Sequence, residues 1–217
     1  MFKAILAIIL AYLIGSINFA VIFSSLFMKK DVRELGSGNA GTTNVMRNGG
    51  FLPGALTFIF DALKGFVAVY IGQLFFENIL AHDAAAVSWA KPIYGAYICG
   101  VFCMLGHIFP VFFQFKGGKG VATSVGIFSL CSPVAIISGL CVFAISTIIS
   151  KIVSLASLLA TVTVVVLAII FNDDTALLWP QALMAIIMGI MVFAKHKDNI
   201  KRLIAGNENK IGGKKRV

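Results

Sequence analysis

Charged side chains are scarce in this sequence. Asp, Glu, Lys and Arg make up 12% of its 217 residues, whereas about 25% is usual for soluble domains. Hydrophobic residues make up 59%, and the mean hydropathy is +0.96. This composition excludes a soluble globular protein and indicates an integral membrane protein. No polar run is long enough for a separate soluble domain, so we expect a single multi-span membrane domain over residues 1–217.

Patterns for metal binding and for a disulfide framework are also missing. The four cysteines lie inside apolar segments, and none has the spacing to a histidine that a metal site requires. Acidic residues do not cluster. We therefore expect no metal and no cofactor. The cysteines are interpreted as small hydrophobic side chains: Cys99, Cys103, Cys131 and Cys141.

Long apolar runs occupy most of the chain. The first has Lys3 near its start, as a signal peptide would, but it extends well beyond the ~7–15 residues of a signal core, so it is interpreted as a retained spanning helix. The fourth has only about 10 residues, too few to cross a hydrocarbon core of ~30 Å as a straight helix. The seven runs are 2–27, 52–76, 92–115, 121–130, 134–149, 153–171 and 176–194.

The distribution of positive charge predicts the orientation of the chain. Net charge is +9, and eight of the eighteen Lys and Arg lie in the C-terminal tail. Beside a spanning helix, such a patch indicates the cytoplasmic surface and anionic lipid rather than nucleic acid. If the chain turns back at Ser132-Pro133, fifteen Lys and Arg lie inside and only Lys3 and Lys91 outside. We predict an all-α membrane protein with the N-terminus outside, the C-terminus in the cytoplasm, and either about seven transmembrane helices or five plus a re-entrant hairpin at 121–149.

Residues 36–47, G-S-G-N-A-G-T-T-N-V-M-R, combine glycines with polar side chains. The spacing Gly36-x-Gly38-x-x-Gly41 formally matches a dinucleotide-binding fingerprint. We reject that interpretation because the fingerprint requires a preceding strand and a βαβ unit, whereas M-K-K-D-V-R-E-L precedes it here. An anion site and an Asx/Ser-rich interfacial turn both remain open. The polar residues of this stretch are Ser37, Asn39, Thr42, Thr43, Asn44 and Arg47.

Residues 105–123 contain a dense group of glycines and lysines. Successive glycines let backbone amides converge on one point, and a helix that starts just after them directs its positive dipole end to the same point. The stretch therefore predicts an anion-binding nest with two counter-charges. The alternative is a flexible cytoplasmic loop whose basic residues only set the membrane orientation. The nest would comprise Lys116, Gly117, Gly118, Lys119 and Gly120.

Two features place ionisable side chains in or beside apolar runs. Asp61 and Lys64 lie at i,i+3 in the second run, and we expect them to pair inside the protein because a charge is costly at the bilayer centre. We interpret the pair as structural, with a floor for an active site as the alternative. His107 lies in the third run, where it either donates a hydrogen bond to a phosphate or neighbouring loop, or only packs.

Residues 196–210 continue the last apolar run into polar sequence. In a helix, His196, Asn199, Ile200 and Leu203 would share one face at i, i+3, i+4 and i+7. An imidazole and an amide on an apolar face indicate docking against other loops. Glu208 is predicted to accept hydrogen bonds from exposed loop amides.

The three stretches 36–47, 106–123 and 196–208 together resemble the three motifs of the bacterial PlsY family, the acyl-phosphate:glycerol-3-phosphate acyltransferases. The similarity extends to Gly15-Ser16-x-Asn18, to F-D-A-L-K-G in the second run and to V-S-L-A-S at 153–157, and so covers most of the chain. Its departures are the asparagines that flank Glu208 and the basic tail that follows them, Asn207, Asn209 and residues 210–217.

The resemblance implies transfer of a fatty acyl group from acyl phosphate to the 1-hydroxyl of glycerol 3-phosphate, which yields lysophosphatidic acid and phosphate in the first step of bacterial phospholipid synthesis. The family uses neither acyl-CoA nor acyl carrier protein as donor. The expected partners are the two substrates, membrane lipids and the enzyme that makes acyl phosphate, with no nucleic acid. The expected location is the bacterial cytoplasmic (inner) membrane, with the active site at its cytoplasmic face.

The resemblance also implies roles for individual residues. The catalytic and substrate-orienting groups would be Ser37, Arg47, His196 and Asn199. The other substrate- and phosphate-binding positions would be Gly38, Asn39, Thr43, Asn44, His107, Lys116, Gly117, Gly118, Lys119 and Gly120.

The proton acceptor and two competing functions stay open. The H-x-x-x-x-D pair of another acyltransferase family is absent from the sequence, so a phosphate oxygen of the substrate is the expected acceptor of the hydroxyl proton. A transporter for an organic phosphate would use the same basic loops, but transporters commonly have an internal repeat and a site near the midplane. A noncatalytic lipid-binding subunit is the third hypothesis.

Cysteine labelling tests the predicted orientation. A membrane-impermeant thiol reagent added from outside should label a cysteine placed at Asp83 and miss one placed at Gly212, because the charge asymmetry keeps the tail inside. The parent chain, which carries four native cysteines, provides the background level. Labelling in the reverse sense would refute the orientation.

Overall fold

The computed structural model describes residues 2–82, 91–172 and 175–212. This part of the chain is helical and contains no strand. Two 3-10 turns, Val32–Glu34 and Val111–Phe113, accompany the α-helices. The α-helices are α1 Phe2–Ser16, α2 Phe19–Met28, α3 Thr42–Gly49, α4 Phe51–His82, α5 Pro92–Ile108, α6 Val121–Cys131, α7 Pro133–Ser150, α8 Val153–Ile170, α9 Thr175–Lys195 and α10 Lys197–Ile204.

Six helical segments of the described chain are long and apolar enough to cross a membrane. The 11-residue α6 is not, because at 1.5 Å per residue it is only about 16 Å long. The expected shortness of this segment is therefore confirmed, whereas the number of spans and the side of each terminus stay predictions. The six segments are Phe2–Met28, Phe51–Asn78, Pro92–Phe113, Pro133–Ser150, Val153–Ile170 and Leu178–Lys195.

The chain divides into two compact units, Met1–Cys131 and Ser132–Val217. Their boundary coincides with the interruption expected at Ser132-Pro133, since α6 ends at Cys131 and α7 begins at Pro133. Proline at the first position of a helix is favoured because it has no N–H to leave unpaired. The single domain expected over residues 1–217 stays a prediction.

In the first unit, α4 packs against α1, α2, α3, α5 and α6. The helices approach closely where glycine faces a neighbouring backbone: a Cβ on Gly126 would collide with the carbonyl oxygen of Ala62, and one on Gly15 with that of Cys103. Small residues are typical of helix contacts in membranes, where close approach provides most of the attraction. One core cluster of this unit consists of small side chains that are buried together, those of Ala7, Ala11, Ala68, Cys99 and Cys103.

The first apolar run differs from the prediction of one continuous helix. It is interrupted at Ile17 and Asn18, between α1 and α2. The side-chain oxygen of Asn18 accepts a hydrogen bond from the amide of Val21 at 3.3 Å and so caps α2. Asparagine is a favoured N-cap because its oxygen pairs an amide that has no helical partner.

In the second unit, α7 packs against α8 and α8 against α9. The α10 helix follows α9 after the single residue His196. Beyond α10 the chain returns to the turn between α7 and α8, where the amide of Ile211 donates to the carbonyl of Lys151 at 2.8 Å. This contact anchors the polar C-terminal stretch to the helices of its own unit.

The glycine at the α4–α6 contact provides a stability test. Gly126→Ala should lower the free energy of unfolding by about 1–3 kcal/mol, because the new methyl group meets backbone that cannot rotate away. Gly189→Ala in α9 is the matched control, since its Cβ meets side-chain methyl carbons and no backbone, that of Val165 at 2.9 Å and that of Thr161 at 3.9 Å. Thermal unfolding in one detergent compares the two variants with the parent. Equal stability of both variants would contradict the packing account.

Candidate active site

The loop before α3 is built around one buried amide. Asn44 is 2% exposed, and its Nδ2 donates to the carbonyls of Val32 at 2.9 Å, Leu35 at 2.9 Å and Asn39 at 3.1 Å. Its Oδ1 accepts from the amide of Ser37 at 3.2 Å. Asn44 is therefore engaged with its own loop and shapes it. Contact of Asn44 with a substrate stays a prediction.

Two glycines of this loop are required by its backbone. Gly36 and Gly38 have φ of 56° and 69°, a region that residues with a Cβ rarely occupy. A Cβ on Gly36 would also meet the side chain of Asn44 at 2.5 Å. In the described chain, a 3-10 turn at Val32–Glu34 precedes this loop and no strand does. This agrees with the rejection of the dinucleotide-binding fingerprint, which requires a preceding strand. The turn presents Ser37 to the exterior.

The α3 helix presents two predicted site residues on one face. Thr43 and Arg47 are both exposed and lie at i,i+4, so that their side chains are neighbours on the helix surface. Asn39 is half-buried in the loop before them, and Gly38 is exposed. The guanidinium of Arg47 is thus accessible to a ligand.

The glycine-lysine stretch leads directly into a helix, as predicted. α6 begins at Val121, and the amide of Ser124 donates to the carbonyl of Gly120 at 2.8 Å. Gly120 has φ of 85° and needs to be glycine for that reason. Lys116 is exposed and Lys119 is half-buried.

The other two glycines of the stretch are packed against protein. A Cβ on Gly117 would collide with the carbonyl oxygen of His107, and one on Gly118 with the ring of His107 and the carbonyl of Ala40. The amide of Gly118 donates to the carbonyl of His107 at 3.2 Å. The sequence interpretation assigned these glycines to the approach of a phosphate; the structure shows that they also bring the loop against α5 and against the first motif.

Arg33 connects the same two loops and was missed as a site-building residue. Its Nε and Nη2 donate to the carboxylate of Asp31, at 3.0 and 2.7 Å, and its Nη1 donates to the carbonyl of Phe113 at 2.9 Å. The side-chain hydrogen bond from Arg33 holds the pKa of Asp31 below its usual value, despite partial burial. The i,i+2 pair was visible in the sequence, whereas no local signal indicated Phe113.

The expected pairing of Asp61 with Lys64 is confirmed. Lys64 Nζ lies 2.6 Å from Asp61 Oδ1, and both residues are buried. His107 is also buried, with Nδ1 3.7 Å from the same carboxylate oxygen. Its ring thus lies between the ion pair and the glycine loop.

The third motif lies in the second unit. His196 and Asn199 are 2% and 6% exposed. Nδ1 of His196 lies 2.8 Å from the carbonyl oxygen of Val192. Because a carbonyl only accepts, Nδ1 carries the hydrogen in this contact, and Nε2 is the acceptor nitrogen of the neutral ring.

Glu208 holds this motif together. Its two carboxylate oxygens accept from Asn199 Nδ2 and from Arg202 Nε, each at 2.9 Å. The prediction that Glu208 accepts from exposed loop amides was wrong, because both of its partners are side chains of the α10 helix. Glu208 therefore fixes the rotamer of Asn199. Arg202 was missed, since the sequence indicated only its positive charge.

The predicted site residues thus fall into two groups. The first two motifs lie together in the first unit, where Ala40 and Phe113 are their points of contact with one another. His196 and Asn199 lie in the second unit. Among the described residues, no three His, Cys, Asp or Glu side chains form a group that could hold a metal ion.

Comparison with known proteins places this arrangement in one family. The family model described as glycerol-3-phosphate acyltransferase matches residues 5–206. A glycerol-3-phosphate acyltransferase of Francisella tularensis subsp. novicida is 43% identical over 211 residues, covering 95% of this chain and 92% of that protein. The glycerol-3-phosphate acyltransferase 2 of Bacillus anthracis is 39% identical over 207 residues, covering 95% and 98%.

Solved structures agree with the sequence relatives. The crystal structure of PlsY (YgiH), an integral membrane glycerol 3-phosphate acyltransferase, in its glycerol 3-phosphate form matches with a TM-score of 0.79 at 35% identity, covering 96% of both chains. Its lysophosphatidic acid form matches with a TM-score of 0.76 at 34% identity. The resemblance seen in the three motifs is therefore confirmed: this chain belongs to the glycerol-3-phosphate acyltransferase family and is a multi-pass membrane acyltransferase.

Proposed function

We propose that this protein transfers a fatty acyl group from acyl phosphate to the 1-hydroxyl of glycerol 3-phosphate, forming lysophosphatidic acid and phosphate. The observation that carries the proposal is the 35% identity over 96% of the chain to a structure in its glycerol 3-phosphate form. The reaction takes place at the cytoplasmic face of the bacterial cytoplasmic membrane, with the N-terminus outside. Residues 1–217 act as one catalytic domain, and the enzyme that makes acyl phosphate supplies the donor.

Three cations of the first unit bind phosphate. Arg47 offers a planar fork that donates to two oxygens of one phosphate, and Lys116 and Lys119 add charge beside the amino end of α6. Ser37, presented by the tight turn between Gly36 and Gly38, adds a hydroxyl. These groups suit a reaction in which both substrates carry phosphate.

His196 and Asn199 orient the acceptor alcohol. The Nε2 of a neutral His196 accepts a hydrogen bond from a hydroxyl, and the rotamer of Asn199 is set by Glu208. The 1-hydroxyl oxygen attacks the carbonyl carbon of acyl phosphate, the bond from that carbon to the phosphate oxygen breaks, and phosphate leaves. The hydroxyl proton passes to a phosphate oxygen. Because acyl phosphate is already activated, positioning and charge stabilisation supply the catalysis.

An acyl-transfer assay on purified protein tests the function. With glycerol 3-phosphate present, acyl phosphate should give lysophosphatidic acid, whereas acyl-CoA and acylated carrier protein should give none, because Arg47 and the lysines recognise a phosphate bonded directly to the acyl carbonyl, which thioester donors lack. Release of one phosphate per acyl chain transferred checks the balance. Product from acyl-CoA at the same rate would refute the donor assignment. A transporter or a noncatalytic lipid-binding subunit would give no product from any donor.

Arg47→Lys tests whether geometry or charge matters at this position. A lysine keeps the charge but loses the fork, and the loss of a charge-assisted hydrogen bond of about 1.5–3 kcal/mol should lower kcat/KM roughly ten- to a hundredfold. Lys30→Gln is the matched control, because it removes an exposed charge from the polar segment that leads into the same loop. If Arg47 contributed charge alone, Lys30→Gln would have the larger effect. Detergent-extracted yield controls for folding.

A further inference from the structure

We propose that Asp61 and Lys64 are positioning residues, which act through His107 to hold the glycine loop in the geometry that binds phosphate. This inference rests on the proposed function only for its substrate. It extends the site to a buried ion pair in the first half of α4 and to the interruption of the first span at Ile17 and Asn18.

The ion pair lies buried inside a candidate membrane span. Asp61 and Lys64 are 1% and 4% exposed, within the candidate span Phe51–Asn78. Ionisable residues inside spans are rare, face the protein interior, and mark functional sites by default. A purely structural contact between α4 and its neighbours needs no charge, as the glycine contacts of the same helix show.

Lys64 connects the pair to the broken first span. Its Nζ donates to the carbonyl oxygen of Ile17 at 2.6 Å, in addition to its contact with Asp61. Its ammonium also lies 5.7 Å from the ring centroid of Phe19, within cation–π range. An interrupted helix leaves carbonyls that no helical amide takes, and in a bilayer they must find protein partners. Lys64 is thereby held in place from the first span.

Asp61 connects the pair to His107. The carboxylate oxygen that contacts Lys64 lies 3.7 Å from Nδ1 of His107. This distance is longer than a hydrogen bond, but it places the ring beside a negative charge in a region of low dielectric. The charge orients the imidazole and restrains its rotation.

His107 transmits this orientation to the loop through two contacts with one residue. Its carbonyl accepts from the amide of Gly118 at 3.2 Å, and its ring occupies the space in which a Cβ of Gly118 would lie. Gly118 lies between Lys116 and the start of α6. A ligand site of this kind has to be held within about 0.5 Å by the packing behind it. A rotated His107 ring would therefore displace the loop and weaken its grip on phosphate.

The test compares a charge-free version of the pair with the parent. In the double variant Asp61→Asn, Lys64→Met no charge is left unpaired, so the fold should persist although the carbonyl of Ile17 loses one hydrogen bond. We expect amide exchange of residues 116–124 to quicken about tenfold, and the KM for glycerol 3-phosphate to rise about tenfold while kcat stays within about threefold. Lys3→Met is the matched control: it breaks a 2.6 Å contact of an exposed lysine with Asn78 and should change neither quantity.

A His107 variant tests whether the ion pair acts on the loop through His107. If the pair acts through His107, adding Asp61→Asn and Lys64→Met to His107→Asn should leave KM and exchange where His107→Asn alone put them, since residues in one network are not additive. Additive effects would overturn the proposal. So would unchanged exchange and KM in the folded double variant. If the double variant does not fold, the same two measurements are made on Lys64→Arg, which keeps the charge on a different head group. Unchanged exchange and unchanged KM in that variant would again overturn the proposal.

The two proposals fail differently. Absence of product from acyl phosphate in the parent, with exchange of residues 116–124 quickened in the double variant, would refute the donor assignment and leave the positioning role intact. Normal product formation with unchanged exchange and unchanged KM would refute the positioning role and leave the function intact. Exchange therefore reports on Asp61 and Lys64 even where no acyl transfer is measured.

Discussion

In the hydrocarbon of a bilayer, a helix that breaks exposes a carbonyl with no water to bind it. Ile17 is such a carbonyl, and Lys64 pairs it. The ammonium that does so needs an anion of its own, which Asp61 provides one helical turn away. That anion in turn lies beside His107. One interruption in one helix is thus connected to a buried charge pair on α4 and, through Asp61, to the surroundings of an imidazole on α5.

The polar loops of the first unit depend on this interior. Gly117 and Gly118 let their loop lie directly on His107, at separations that a side chain would prevent. From the other direction, Arg33 joins the first motif to the carbonyl of Phe113. The backbone that carries the phosphate-binding cations is therefore fixed by its contacts with the interior of the first unit. Such support is what an anion site needs, because flexible loops would lose binding energy to ordering.

In the second unit, a carboxylate fixes the polar side chains of the third motif. Glu208 accepts from Asn199 and from Arg202, and the two bonds fix α10 to the chain that follows it. The contact of His196 with Val192 assigns the hydrogen to Nδ1. Both motif side chains are thus oriented before any ligand arrives. For an acyl donor that is already activated, orientation of this kind accounts for more of the chemistry than a strong base would.

The membrane class, the helical fold, the shortness of α6, the pairing of Asp61 with Lys64 and the family were all predictable from the sequence, because composition, run length and contiguous motifs are local properties of the chain. The break at Ile17, the engagement of Asn44 with its own loop, and the packing of Gly117 and Gly118 against His107 were not. Tertiary structure decided them, since the partners are far apart in the chain: Lys64 reaches across 47 residues and Arg33 across 80. A motif states which groups a site contains. Only the folded chain decides what holds them, because a polar group inside a bilayer depends on the partners that the packed helices bring within its reach.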